Sequence, residues 1–167
     1  MPVTLSACPA HADRTAPTPE NLTYSLTFPS TLSSPAMARA ATRTLLAAHG
    51  LRDVLDAALQ AVAELTATAC QFTASPEIYV SLRFREDALR LITYDSHPRH
   101  TNARVAAACE ARRRAALRLL ACVTRTCGGD WGFGPAREPG GGTRMWATLP
   151  RTSTASAYGG PGVVSPR

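Results

Sequence analysis

Arg112, Arg113 and Arg114 stand side by side in this chain, and Arg118 follows one helical turn later. A guanidinium offers paired donors that match phosphate oxygens, so the run could grip an anion or lie as a solvated helix face. A second group, His97-Pro98-Arg99-His100, carries imidazoles of the kind that ligate metals or accept a phosphoryl group. Pro98 breaks any i,i+4 pairing of the two rings, and no second ligand cluster adjoins them in sequence. The expectation there is a loop without chemistry. Cys8, Cys70, Cys109, Cys122 and Cys127 form an odd set with no C-x-x-C pair. That argues against the usual zinc spacings and for small buried thiols, the last three along one helical region.

The net charge of +6 conceals a sharper fact: all 18 basic residues are Arg, and Lys is absent. A phosphate-binding loop of the Gly-Lys-Ser/Thr type is therefore excluded, because its Lys amine reaches the phosphates. A eukaryotic-type protein kinase and Schiff-base chemistry are excluded on the same ground. A pI near 9.5 with clustered arginines raises nucleic-acid binding through phosphate contacts. Aromatics are only 6% and no recognition-helix motif stands out, so nucleic acid is not the expected partner.

The elements that must position these residues follow from periodicity. Leu22, Tyr24, Leu26 and Phe28 alternate with Thr23, Ser25 and Thr27 as a half-buried strand does, and Pro29 ends it. Ser34-Pro35 starts a helix that runs to about His49, where Gly50 supplies a left-handed stop. His49 is accompanied by no dimerising helical hairpin, so it is not read as a phosphoacceptor. A second helix from about Arg52 carries Val54, Ala58, Val62, Leu65 and Ala69 on one stripe and ends near residues 70 to 73. Ile78, Val80, Leu82 and Phe84 alternate, Glu86-Asp87 turns the chain, and Leu89, Leu91 and Thr93 alternate back as a hairpin. Residues 103 to about 127 are helical up to Gly128-Gly129. A short strand near Trp131 to Phe133 and a closing strand with Met145, Ala147 and Leu149 complete the set.

At 167 residues the chain fits a single domain, with a core built from Ala, Leu and Val. Residues 1–20 and 151–167, rich in Pro, Ala, Thr, Ser and Gly, read as disordered tails around a domain at 21–150. No apolar run approaches the ~20 residues of a membrane span, and no secretory signal precedes the domain. The expected location is the cytoplasm, with no membrane partner. The order strand, two helices, two strands, helix, one or two strands predicts an α+β two-layer sandwich, a mixed sheet covered on one face by helices.

In order and spacing, these segments resemble the histidine-kinase-like ATPase superfamily, and most of all the stand-alone anti-sigma-factor serine kinases abundant in actinobacteria. The resemblance covers roughly residues 22 to 150. It is carried by Tyr24-Ser25-Leu26-Thr27-Phe28-Pro29, His49-Gly50-Leu51, Glu64-Leu65, the hairpin to Asp95, Trp131-Gly132 and Gly140-Gly141-Gly142-Thr143-Arg144-Met145-Trp146. It implies that Glu64 is the catalytic residue that activates the attacking group, and that Asp95 accepts from the adenine amino group. The family's magnesium-holding Asn is Thr68 here, which makes Thr68 the implied ligand for Mg2+ and a contact to ATP. His97 replaces a glycine that lets backbone approach the base. Arg114 and Thr143 complete the implied nucleotide contacts. The family's glycine-rich lid corresponds to Ala111–Arg118, which has no glycine.

The implied function is an ATP-binding regulatory protein that controls transcription by partner switching. Its partners would be a sigma factor or its antagonist protein, and a homodimer is left open. With the magnesium-ligand and lid positions altered, the alternative is a degenerate interaction domain with weak or no ATP binding.

Overall fold

A computed structural model describes residues 15–136 and 141–151. The tails expected at 1–20 and 151–167 fall mostly outside those residues. In chain order the elements are β1 (Thr23–Pro29), α1 (Ser34–Ala48), α2 (Leu55–Phe72), β2 (Glu77–Arg85), β3 (Ala88–Asp95), α3 (Ala103–Ala116), α4 (Arg118–Thr126), β4 (Asp130–Pro135) and β5 (Thr143–Pro150). The architecture is α+β, a five-stranded sheet in the order β1-β2-β3-β5-β4 with helices on one face.

The sheet is antiparallel throughout, not mixed as expected. A helical crossover from β3 to β4 would ordinarily make those strands parallel neighbours. They do run parallel, but β5 returns from β4 and inserts between them, pairing antiparallel with both.

Alternation sets which face is buried. Ile78, Val80, Leu82 and Phe84 of β2, Leu89 and Leu91 of β3, and Met145, Ala147 and Leu149 of β5 point under the helices. The α2 stripe of Val54, Ala58, Val62, Leu65 and Ala69 lies against them, every member buried. Each such Leu or Val contributes about 1.5–3 kcal/mol by leaving water, so this seam supplies much of the fold's stability. Glu86 and Asp87 turn the hairpin with φ of 52° and 55°, the left-handed pair of a two-residue hairpin turn.

Two local details differ from the sequence reading. Ser33 rather than Ser34 is the N-cap of α1, and the Ser34 hydroxyl donates instead to the Pro29 carbonyl, tying α1 to the end of β1. The helical stretch 103–127 is two helices that bend at Leu117, whose side chain is fully buried. Cys109 sits on α3, Cys122 on α4 and Cys127 caps α4, so the three do not share one helix. His49 caps α1 and is buried, its Nε2 accepting from Tyr24 Oη at 2.9 Å and its Nδ1 donating to the Thr18 carbonyl at 2.6 Å. It fastens the segment before β1 and has no free nitrogen for chemistry.

Candidate functional site: a buried carboxylate and the cleft beside it

Along β3 the inward positions are Leu89, Leu91, Thr93 and Asp95, so the strand ends with a carboxylate where an aliphatic side chain would otherwise stand. The Asp95 side chain has 0% exposure. A charge so placed needs a partner, and α3 provides it. Arg113 Nη1 donates to Asp95 Oδ2 at 2.5 Å and approaches the Met145 sulfur at 3.2 Å. Its guanidinium lies 4.1 Å from the Phe72 ring centroid, a cation–π contact out of water. Asp95 Oδ1 accepts the His97 backbone N–H at 2.9 Å. The ion pair is single-armed: Arg113 Nη2 is buried and has no hydrogen-bond partner among the described residues.

Gly142, the last glycine before β5, is explained at the same place. A Cβ on Gly142, which has φ +94°, would come within 2.0 Å of the Asp95 carbonyl oxygen. Only glycine lets β5 start against the end of β3, where Thr143 pairs opposite Asp95.

Beside this junction lies a cleft of about 490 Å³ whose walls include His97, His100, Cys109, Arg113, Phe133 and Thr143. Of the residues implied by resemblance, Asp95, His97 and Thr143 therefore come together. Arg114 does not point in. It pairs with Glu110 at 2.9 Å on the exposed side of α3 and lies 5.3 Å from the Phe133 ring. Glu64 and Thr68 share a face of α2 with Phe72, but neither lines the cleft, and Glu64 is about 12 Å along the helix from Phe72 at 1.5 Å per residue. Burial pushes the Glu64 carboxyl above its ordinary range. Among the described residues it forms no salt bridge. A second hollow of the same volume lies over the helix-free face of the sheet, among Ser25, Thr27, Tyr79, Ser81 and Tyr94.

These positions test the fit of ATP and Mg2+. Magnesium keeps several of its waters and needs reachable oxygen ligands. Thr68 is 2% exposed and away from the cleft, so it does not suit that ion. Adenine would need the Asp95 carboxylate, whose oxygens are engaged by Arg113 and by the His97 N–H. Of the segment matching the lid, Ala111–Ala116 is the end of α3, Leu117 the break and Arg118 the start of α4, presenting side chains rather than a cradle of glycine amides. The Asp95 carboxylate is not free for an adenine amino group, and the residues present do not fit a magnesium ion.

The His97–His100 segment lies outside any helix or strand, as expected of a loop. Pro98 prevents a helix, but the turn it makes folds His100 back onto His97, with ring centroids 5.0 Å apart. Asn102 then caps α3, its side chain accepting from the Arg104 and Val105 amides, and the helix carries Cys109 to the same point. His97 Nε2 is 3.0 Å from His100 Nε2 and 3.1 Å from Cys109 Sγ.

Sequence reasoning treated the arginines as one group, and the structure separates them. A signal was present: counting back from the buried Leu117 by helical spacing gives Arg113, then Cys109 or Glu110, then Ala106. That stripe lines the cleft.

No protein-family model matches the chain, and no curated protein matches it.

Proposed function

We propose that this chain is a regulatory domain of the histidine-kinase-like ATPase type that acts by binding protein partners of the transcription machinery, as anti-sigma factors do. Adenine nucleotide enters it only by displacing Arg113 from Asp95, and the chain does not carry out phosphoryl transfer. The observation that carries this reading is the buried Arg113–Asp95 pair at the strand end. It sets an internal cation on the acid that the resemblance would make the adenine-selecting one. The order of elements, the acid at the end of β3 and the glycine packed against it support the same architecture. Against turnover stand the buried Thr68, the absence of Glu64 from the cleft walls and the glycine-free α3.

The test is calorimetric titration with ATP, with and without magnesium, of the wild-type chain and of Arg113→Met, which removes the charge and keeps a long unbranched side chain beside the Phe72 ring. Binding that is weak in wild type and at least about tenfold tighter in Arg113→Met, a gain of ~1.4 kcal/mol, supports the reading. Magnesium should add little. No heat of binding at millimolar ATP in a folded Arg113→Met variant removes the nucleotide half and leaves a partner-binding domain alone. Transfer of labelled phosphate to a protein serine would overturn the assignment of no turnover.

A further inference from the structure

His97, His100 and Cys109 each present one ligand atom, and the three atoms all lie within 4.8 Å of one another. We propose that they form a binding site for a borderline-soft divalent transition-metal ion, zinc above all, which ties the loop after β3 to helix α3.

Three observations carry this. The first is convergence. His97 Nε2 stands 3.0 Å from His100 Nε2 and 3.1 Å from Cys109 Sγ. Around a tetrahedral zinc the corresponding separations are about 3.3 Å for two imidazole nitrogens and about 3.5 Å for nitrogen and sulfur, given bonds of ~2.05 and ~2.3 Å. Shifts of a few tenths of an ångström bring these two separations to those values, and the third pair, His100 and Cys109, lies within 4.8 Å.

The second is the orientation of His97. Its Nδ1 donates to the Phe72 backbone carbonyl at 3.1 Å. That contact assigns the proton to Nδ1 and leaves Nε2 with its lone pair toward the cluster, as metal-binding histidines are held by their outer partners. Phe72 packs edge-on against the same ring at 5.7 Å, which limits its rotation.

The third is a conflict in hydrogen bonding. One Nε2 lone pair faces two neighbours, an imidazole nitrogen and a thiol, and can accept only one proton well. A cation satisfies all three atoms together. On binding, the thiol proton leaves to solvent, the single His100 proton moves from Nε2 to Nδ1 so that Nε2 can ligate, and the site changes from neutral to a net charge of +1.

The ligand set is two imidazoles and one thiolate, a choice that favours zinc, cobalt or copper over magnesium or calcium. The cluster forms part of the cleft wall, so a fourth position is accessible to water or an incoming ligand. Arg99 and Arg113 line the same cleft and oppose a cation, while Glu110 and the thiolate offset them. The site bridges two segments that also hold Asp95: His97 through its backbone N–H, and α3 through Arg113.

The test uses the full-length chain, reduced and metal-free, titrated with Co2+ and then Zn2+. One equivalent of Co2+ should give a thiolate-to-cobalt charge-transfer band that Zn2+ abolishes. Cys109→Ser should remove the band and weaken Zn2+ binding about 100-fold or more, while Cys70→Ser and Cys122→Ser keep both. His100→Ala should weaken binding with the band shifted or lost. A band that survives Cys109→Ser, or no band in the wild-type chain, overturns the proposal. If Cys109→Ser does not fold, chemical labelling decides the matter: Zn2+ should protect Cys109 from alkylation and leave Cys122 reactive, and equal reactivity of Cys109 with and without Zn2+ refutes the site.

Discussion

Asp95 and Arg113 hold opposite charges in a place without water, and each is costly alone. Removing one member of a buried pair typically costs about 3–5 kcal/mol, because the other is left unsolvated. Asp95→Ala is therefore expected to lose stability on that scale in urea unfolding. The double change Asp95→Leu with Arg113→Met should recover most of it, since the site is otherwise lined by Phe72 and Met145. Glu64 gives an independent test by pH. Its folded-state pKa lies above the unfolded value, so the folded chain favours the protonated form. Stability from this group is present below the unfolded pKa and falls as pH rises through the folded one. Glu64→Gln should raise the melting temperature slightly at pH 7 and leave it unchanged at about pH 3.5, below the ordinary Glu range.

At the scale of elements, the junction of β3 and β5 is the most constrained. Gly142→Ala must move the Asp95 carbonyl or distort a backbone already at φ +94°. Overpacking and left-handed strain together suggest a loss of about 3 kcal/mol or more, read as a lowered urea midpoint with unchanged slope. Strands and helices were legible in the sequence because their periods differ. Leu89, Leu91 and Thr93 declared a strand, and Ala58, Val62 and Leu65 declared a helix face. The pairing of β5 between β3 and β4 was not legible, since alternation fixes a strand's faces but not its neighbours. For the same reason the break at Leu117 was hidden: Ala, Arg and Leu on both sides of it favour helix equally.

At the scale of the whole molecule, the candidate site draws on segments far apart in the chain, and this limits what a linear reading can find. His97 and Cys109 are brought together by a turn and a capped helix, and Asp95 and Thr143 by a sheet register. Among the described residues no helix is long and apolar enough to cross a membrane. The helices also differ in how they are attached. α2 buries a continuous aliphatic stripe, whereas Arg113 is the only buried residue of α3. Hydrogen exchange should therefore find α2 and β3 opening only with global unfolding, and α3 opening at far lower free energy. Equal protection of α2 and α3 would contradict that picture. A segment whose single buried side chain is a guanidinium, rather than hydrocarbon, is expected to behave as a hinged shutter. A competing anion or a partner's acidic side chain should release it without melting the rest of the body.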